Sequence, residues 1–117
     1  MGAELKSLKS VPDNREYMWH GDPAYWGRTS PVLFPIVGGL KDGQYRVDGT
    51  SYSMGQHGFA RDREFQLKSQ VASEIWFSLS SDEETLKKYP YPFQLEIGYE
   101  LTGRTVTVKW RVTNQGE

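Results

Sequence analysis

Apolar side chains at Phe93, Leu95, Ile97, Tyr99 and Leu101 recur at every second position, pause at Thr102-Gly103, and resume at Val106, Val108, Trp110 and Val112. A period of two belongs to a strand with one face buried; a helix would scatter these residues around its axis. The segment therefore predicts two long antiparallel strands, Phe93–Leu101 and Thr105–Thr113, joined by a tight turn. Weaker versions of the same pattern run through most of the chain. They predict strands over Ala3–Lys9, Glu16–Trp19, Gln44–Val47, Thr50–Met54, Glu64–Ser69 and Glu74–Ser80. Asp48-Gly49 supplies the positive φ that a two-residue hairpin turn between Val47 and Thr50 requires. The chain reads as all-β and antiparallel.

Three segments depart from that pattern. Ser81-Asp82-Glu83-Glu84 has the cap chemistry of a helix start, with acids at the positive end of the dipole; Pro90 and Pro92 stop the turn. Asp22-Pro23-Ala24-Tyr25-Trp26 predicts another short turn. Gly27 to Gly43 places Pro31, Pro35, Gly38 and Gly39 around the apolar block Val32-Leu33-Phe34. Two prolines remove ladder donors, so this stretch reads as a buried, kinked crossover and marks a candidate site.

Composition narrows the function classes. With 117 residues the chain is one domain, 1–117. Leu, Ile, Val and Phe supply 25 residues, enough for a thin core, and seven Tyr and four Trp add apolar area. A net charge of −1 leaves no domain-wide basic field, which argues against nucleic acid as a partner. The absence of cysteine excludes disulfides and thiolate zinc sites, and two histidines without spaced carboxylates predict no metal site. No apolar run reaches the length of a membrane span. The expectation is a cytoplasmic protein with no membrane partner.

Three clusters remain. The first is Trp26-Gly27-Arg28-Thr29-Ser30-Pro31-Val32-Leu33-Phe34-Pro35-Ile36-Val37-Gly38. The second is Asp42-Gly43-Gln44-Tyr45. The third, Gln56-His57-Gly58-Phe59-Ala60-Arg61-Asp62, gathers an imidazole, a guanidinium and a carboxylate beside glycines that permit close backbone approach. Such a loop suits a polyhydroxylated ligand; equally, His57 and Arg61 would serve to satisfy loop carbonyls. Trp26 is suited to core packing or to stacking on a sugar face. His20 reads as a rim residue, Trp76 and Trp110 as core or sheet-face residues. Glu96 and Glu100 fall on one strand face that reads as solvated.

The order Gly-Arg-x-x-Pro-x-Leu-Phe-Pro-x-x-Gly, Asp-Gly-x-Tyr and Gln-His-Gly-Phe-Ala-Arg-Asp resembles the aldose 1-epimerase (galactose mutarotase-like) superfamily. The likeness is nearest to the branch of lactose-operon-associated mutarotase-like proteins and hexose-6-phosphate mutarotases. It spans essentially the whole chain and implies an antiparallel β-sandwich, part of a mutarotase-like supersandwich. Members of that family are more than twice as long. The resemblance therefore implies an N-terminal portion that lacks the family's acid histidine and base glutamate.

The implied activity is interconversion of α and β anomers of an aldohexose or hexose phosphate by general acid–base ring opening, with no cofactor. By the same resemblance His57 matches the family's first active-site histidine, in an assisting catalytic role. Arg28 and His57 match sugar-facing positions, and Arg61 a third binding position that suits phosphate by its planar donor fork. The alternative is a noncatalytic carbohydrate-binding or assembly module. Arg28 and His57 are expected to converge on one concavity, with Arg61 either joining them or pairing with Asp62 or Glu64. Strands left without partners predict self-association.

Overall fold

The computed structural model describes residues 1–117. Its main element is a four-stranded antiparallel sheet in sequential order. A separate hairpin, β1 (Gln44–Val47) with β2 (Thr50–Ser53), precedes it. The sheet comprises β3 (Gln66–Val71), β4 (Glu74–Ser80), β5 (Phe93–Thr102) and β6 (Thr105–Asn114), and helix α1 (Glu83–Lys88) bridges β4 and β5. No helix is long and apolar enough to cross a membrane.

The alternating segment behaves as its spacing dictates. Register pairs Leu95 with Val112, Ile97 with Trp110 and Tyr99 with Val108, and on the other side Leu79 with Leu95 and Phe77 with Ile97. These side chains share one face of the sheet. The irregular crossover packs onto it, and Val32, Phe34, Met54, Phe59 and Ala60 complete a core with Leu79, Phe93, Leu95 and Ile97. Phe34 stands edge-on to Phe59 and tilted against Phe93, at 6.2 and 5.0 Å between ring centroids. The crossover therefore forms a second layer of the core despite its prolines.

Local chemistry sets the remaining boundaries. Asp48 and Gly49 both take positive φ, 47° and 81°, as the hairpin turn requires. Asp82 caps α1: its carboxylate accepts from the Thr85 N–H, and its own N–H donates to Thr85 Oγ1, both at 2.8 Å.

Four expectations are corrected. Ala3–Lys9 and Glu16–Trp19 form no ladder; their main-chain pairing is limited to an isolated antiparallel bridge between Lys9 and Glu16, with the Tyr17 N–H donating to the Leu8 carbonyl at 2.9 Å. Ala3 has φ 47°, and the Glu16 carboxylate takes the Ser7 hydroxyl and the N–H groups of Leu8 and Met18, so side-chain bonds replace the ladder. Those donors hold the Glu16 carboxyl down to about 2. The strand expected at Glu64–Ser69 starts two residues later, because half-buried Phe65 belongs to the core, and a register shift sits between Leu67 and Ser69.

Glu96 is sealed rather than solvated, at 2% exposure. Lys68, at the register shift of β3, and Arg111 on β6 both reach its carboxylate. The Lys68 ammonium, with Arg111, keeps that carboxyl below the usual carboxylate range against the opposing effect of burial. Trp26, expected in the core first, is half exposed, and its main chain alone is engaged: the carbonyl accepts from Trp19 Nε1 at 2.7 Å and the N–H donates to the Asp22 carbonyl at 2.8 Å.

Trp76 and Trp110 fall on opposite faces of the sheet. Trp76 covers Gly98 and lies under the Arg111 guanidinium, 4.8 Å from its ring centroid. Trp110 stands half exposed on the apolar face. Beyond the crossover that face also exposes Leu67, Leu101, Val108 and Val112.

Candidate functional site

The crossover and the loop after β2 are pinned together at three places. At the first, Phe34 and Gly58 form a parallel bridge. The Phe34 carbonyl accepts from the N–H groups of Phe59 and Ala60, at 2.9 and 3.2 Å. Gly58, at φ 71°, leaves room for that approach.

The second pin is His57. Its N–H donates to the Gly38 carbonyl at 2.8 Å, and its ring Nδ1 accepts from the Gly38 N–H at 2.8 Å. His57 itself lies at φ 65° and is partly exposed.

The third pin is Arg28. Its guanidinium donates to Asp62 Oδ1 at 2.5 Å and to the Arg61 carbonyl at 3.4 Å. The Arg28 loop is anchored from the other side by Glu4, whose carboxylate accepts from the N–H groups of Thr29 and Ser30, at 2.5 and 2.7 Å. Burial works to raise the Glu4 carboxyl, but these main-chain donors and Lys6 outweigh it and hold it low. Short connections thus place Arg28 firmly although it lies outside regular structure.

Arg61 turns back on its own loop and donates to the Gln56 carbonyl at 3.2 Å. Its Nε is buried without a hydrogen-bond partner, and the nearest carboxylate oxygen, on Asp62, stands 3.9 Å away. Asp62 is committed to Arg28. An open cleft of about 370 Å³ adjoins Gln56, Gly58, Arg61, Asp62 and, from α1, Lys88. Arg61 thus lines the cleft with terminal guanidinium donors beyond the one bonded to Gln56, while its unpaired Nε stays buried.

Of the three residues expected from sequence, Arg28 and Arg61 are joined through the Arg61-Asp62 segment. His57 is held one residue from the Phe34–Gly58 bridge, on the Gly38 side. Neither Arg28 nor His57 lines the cleft that Arg61 adjoins. His20 is a surface residue, beside the Trp19 ring and 3.9 Å from Asp22. No group of three or more His, Asp or Glu is placed to hold a metal ion.

Sequence reasoning missed Gly38, Glu4 and the Asp62–Arg28 pairing. Gly38 acts through its peptide group, which carries no residue signature. Glu4 lies 25 positions from the loop it anchors, with nothing in its neighbours to connect the two.

The family model for aldose 1-epimerase matches residues 1–117. Two curated relatives are the chromosomal and plasmid forms of protein LacX from Lactococcus lactis subsp. lactis. Each is 36% identical over 119 residues, covering 97% of this chain and 40% of its own length. The solved structure of a galactose mutarotase related enzyme from Lactobacillus acidophilus matches with a TM-score of 0.96 at 42% identity, over 98% of this chain and 38% of that one. A galactose mutarotase-like protein from Lactobacillus casei matches with a TM-score of 0.94 at 43% identity, over 98% and 39%. The chain thus spans about two-fifths of the length of these relatives.

Proposed function

Because the chain belongs to the aldose 1-epimerase family, we propose that the clamped loop is one wall of a site for an aldohexose, free or phosphorylated. Arg28, His57 and Arg61 are its binding residues. The observation that supports this reading best is the Arg28–Asp62 and Gly38–His57 pinning, which fixes a guanidinium on the crossover and an imidazole on the loop after β2 before any ligand arrives. A polyol offers only hydroxyls and a ring oxygen, so recognition needs several donors and acceptors fixed beforehand. Arg61 contributes unused donors beside an open cleft, where a planar fork suits a phosphate or vicinal hydroxyls.

Anomer exchange requires a base at the anomeric hydroxyl and an acid at the ring oxygen. In this reading His57 assists, and the principal acid histidine and base glutamate lie outside the 117 residues. The chain supplies the binding wall, and catalysis is a property of the longer fold.

Saturation-transfer NMR with galactose, glucose and their 6-phosphates tests the reading. The chain should give ligand signal, and Arg28→Ala should reduce it at least about tenfold, the order of one charge-assisted hydrogen bond, while the amide spectrum stays folded. Equal signal from Arg28→Ala, or none from the chain with any of these sugars, would count against the site.

The assembly reading has its own support in the exposed apolar row Leu67, Leu101, Val108, Trp110 and Val112. The β3 edge is broken by its register shift at Lys68, whereas β6 offers ten residues of open edge. Lys109 and Arg111 on that edge are already neutralised, Lys109 by Glu74 at 2.9 Å and Glu100 at 2.5 Å, and Arg111 by Glu96. The partner that fits is a second copy, which supplies an equal open edge. Sedimentation equilibrium should show a dimer that Trp110→Lys weakens; a monomer at all concentrations would rule the assembly out.

A further inference from the structure

The hydrogen bonds at His57 carry chemical information beyond position. Its Nδ1 accepts from the Gly38 N–H, and an accepting nitrogen carries no proton. A neutral imidazole has one ring proton, so that proton sits on Nε2. An imidazolium has protons on both nitrogens and would set N–H against N–H at Gly38. The reciprocal bond, from the His57 N–H to the Gly38 carbonyl, prevents the two chain segments from sliding to relieve that clash. No other group in the chain hydrogen-bonds the ring, so Nε2–H is the nitrogen left to address a ligand.

We propose that the Gly38 peptide is a positioning element that locks His57 as the Nε2–H tautomer, so that His57 meets its ligand as a hydrogen-bond donor and not as a proton acceptor. This rests on the sugar-site reading for the identity of the ligand, but not for the tautomer. The group opposite Nε2 must then be an acceptor: a ring oxygen or a hydroxyl lone pair. Removal of the anomeric proton falls to another residue. The two chain features that permit the lock are the positive φ values of Gly38 and His57, 85° and 65°, which aim peptide and ring at each other.

Two substitutions separate the two ring nitrogens. His57→Asn places an acceptor oxygen where Nδ1 stood, and Asn tolerates positive φ, so the Gly38 bond persists while the outward donor is lost. His57→Gln offers an outward donor but no acceptor at the δ position. Long-range ¹H–¹⁵N correlation of the histidine-labelled chain at neutral pH should show one ring locked with a pyridine-type Nδ1 and a protonated Nε2. That ring should vanish in His57→Asn, which distinguishes it from His20. Exchange of the Gly38 amide should stay slow in His57→Asn and accelerate at least about tenfold in His57→Gln, as expected for loss of one hydrogen bond. Sugar signal in saturation transfer should fall at least about tenfold in His57→Asn.

A ring protonated on Nδ1, a mixture of tautomers, or a Gly38 amide indifferent to His57→Gln would overturn the positioning role. A locked Nε2–H ring with no sugar signal would leave the lock standing and defeat the sugar reading. Sugar binding with an unlocked ring would do the reverse.

Discussion

Gly58→Ala is expected to abolish the native fold, lowering stability by at least about 4 kcal/mol. A Cβ at this position would stand 2.7 Å from Pro35 Cδ and closer still to the Phe34 carbonyl, in a residue whose φ is 71°. Neither neighbour is the end of a flexible side chain. The Phe34 carbonyl is held by the N–H groups of Phe59 and Ala60, and the Phe34 ring is packed against Phe59 and Phe93. Relief would require the crossover to lift off the sheet, which exposes the centre of the core. Left-handed strain alone costs an alanine about 1–2 kcal/mol; the steric conflict supplies the rest. Gly43→Ala is the control, since Gly43 also has positive φ (66°) but no atom within 4 Å of the point where the methyl group would stand. It should cost about 1–2 kcal/mol and remain folded. Urea unfolding followed by circular dichroism compares the two. A folded Gly58→Ala chain with stability equal to the Gly43 variant would show that the crossover is not clamped as described.

The elements legible in the sequence are those whose signal is local. Alternation from Phe93 to Val112 gives the strands and the face each side chain takes, because the period of a strand is a property of the backbone. Asp48-Gly49 and the acidic cap before Thr85 act within four residues. The first twenty residues mislead for the opposite reason. Their weak alternation is overridden by Glu16, which draws Ser7, Leu8 and Met18 around one carboxylate. The Glu96 error has the same origin. Spacing places Glu96 on the polar face of β5 correctly, but its burial is decided by Lys68, 28 positions away, and Arg111, 15 positions away.

At the candidate site, motif order singles out Arg28, His57 and Arg61, and the prolines and glycines of Gly27 to Gly43 mark the crossover as irregular. What holds each residue is not legible. Arg28 finds its carboxylate at Asp62, 34 positions on, and His57 finds a peptide N–H rather than a side chain. Main-chain partners depend on backbone direction, which residue identity constrains only at glycine and proline.

The paired variant Lys68→Met with Arg111→Met should lose about 2–3 kcal/mol at neutral pH and should reverse the pH dependence contributed by Glu96. Glu96 is 2% exposed, and Lys68 and Arg111 are the cations that reach it. Breaking a buried pair from one side strands a charge and costs about 3–5 kcal/mol. The lower figure applies because the two cations are themselves 44% and 58% exposed, so part of their interaction is screened by water. In the native chain the cations hold the folded Glu96 carboxyl below its unfolded value. Its contribution is therefore present above the unfolded pKa and is lost as pH falls through the folded one. Without the cations, burial alone acts and raises the folded value, so the charged form becomes a penalty that grows as pH rises above the unfolded pKa. Relative to the native chain, the variant should recover stability as the solution is acidified. Methionine at both positions preserves the aliphatic bulk, including the cover over Trp76, so the change isolates charge. Adding Glu96→Leu should restore stability to within about 1 kcal/mol, since an apolar residue of similar size replaces a buried ionic group at little cost. A double variant that loses less than about 1 kcal/mol and still gains stability with rising pH as the native chain does would show that Glu96 is hydrated, and that the polar face of the sheet is an ordinary solvated surface.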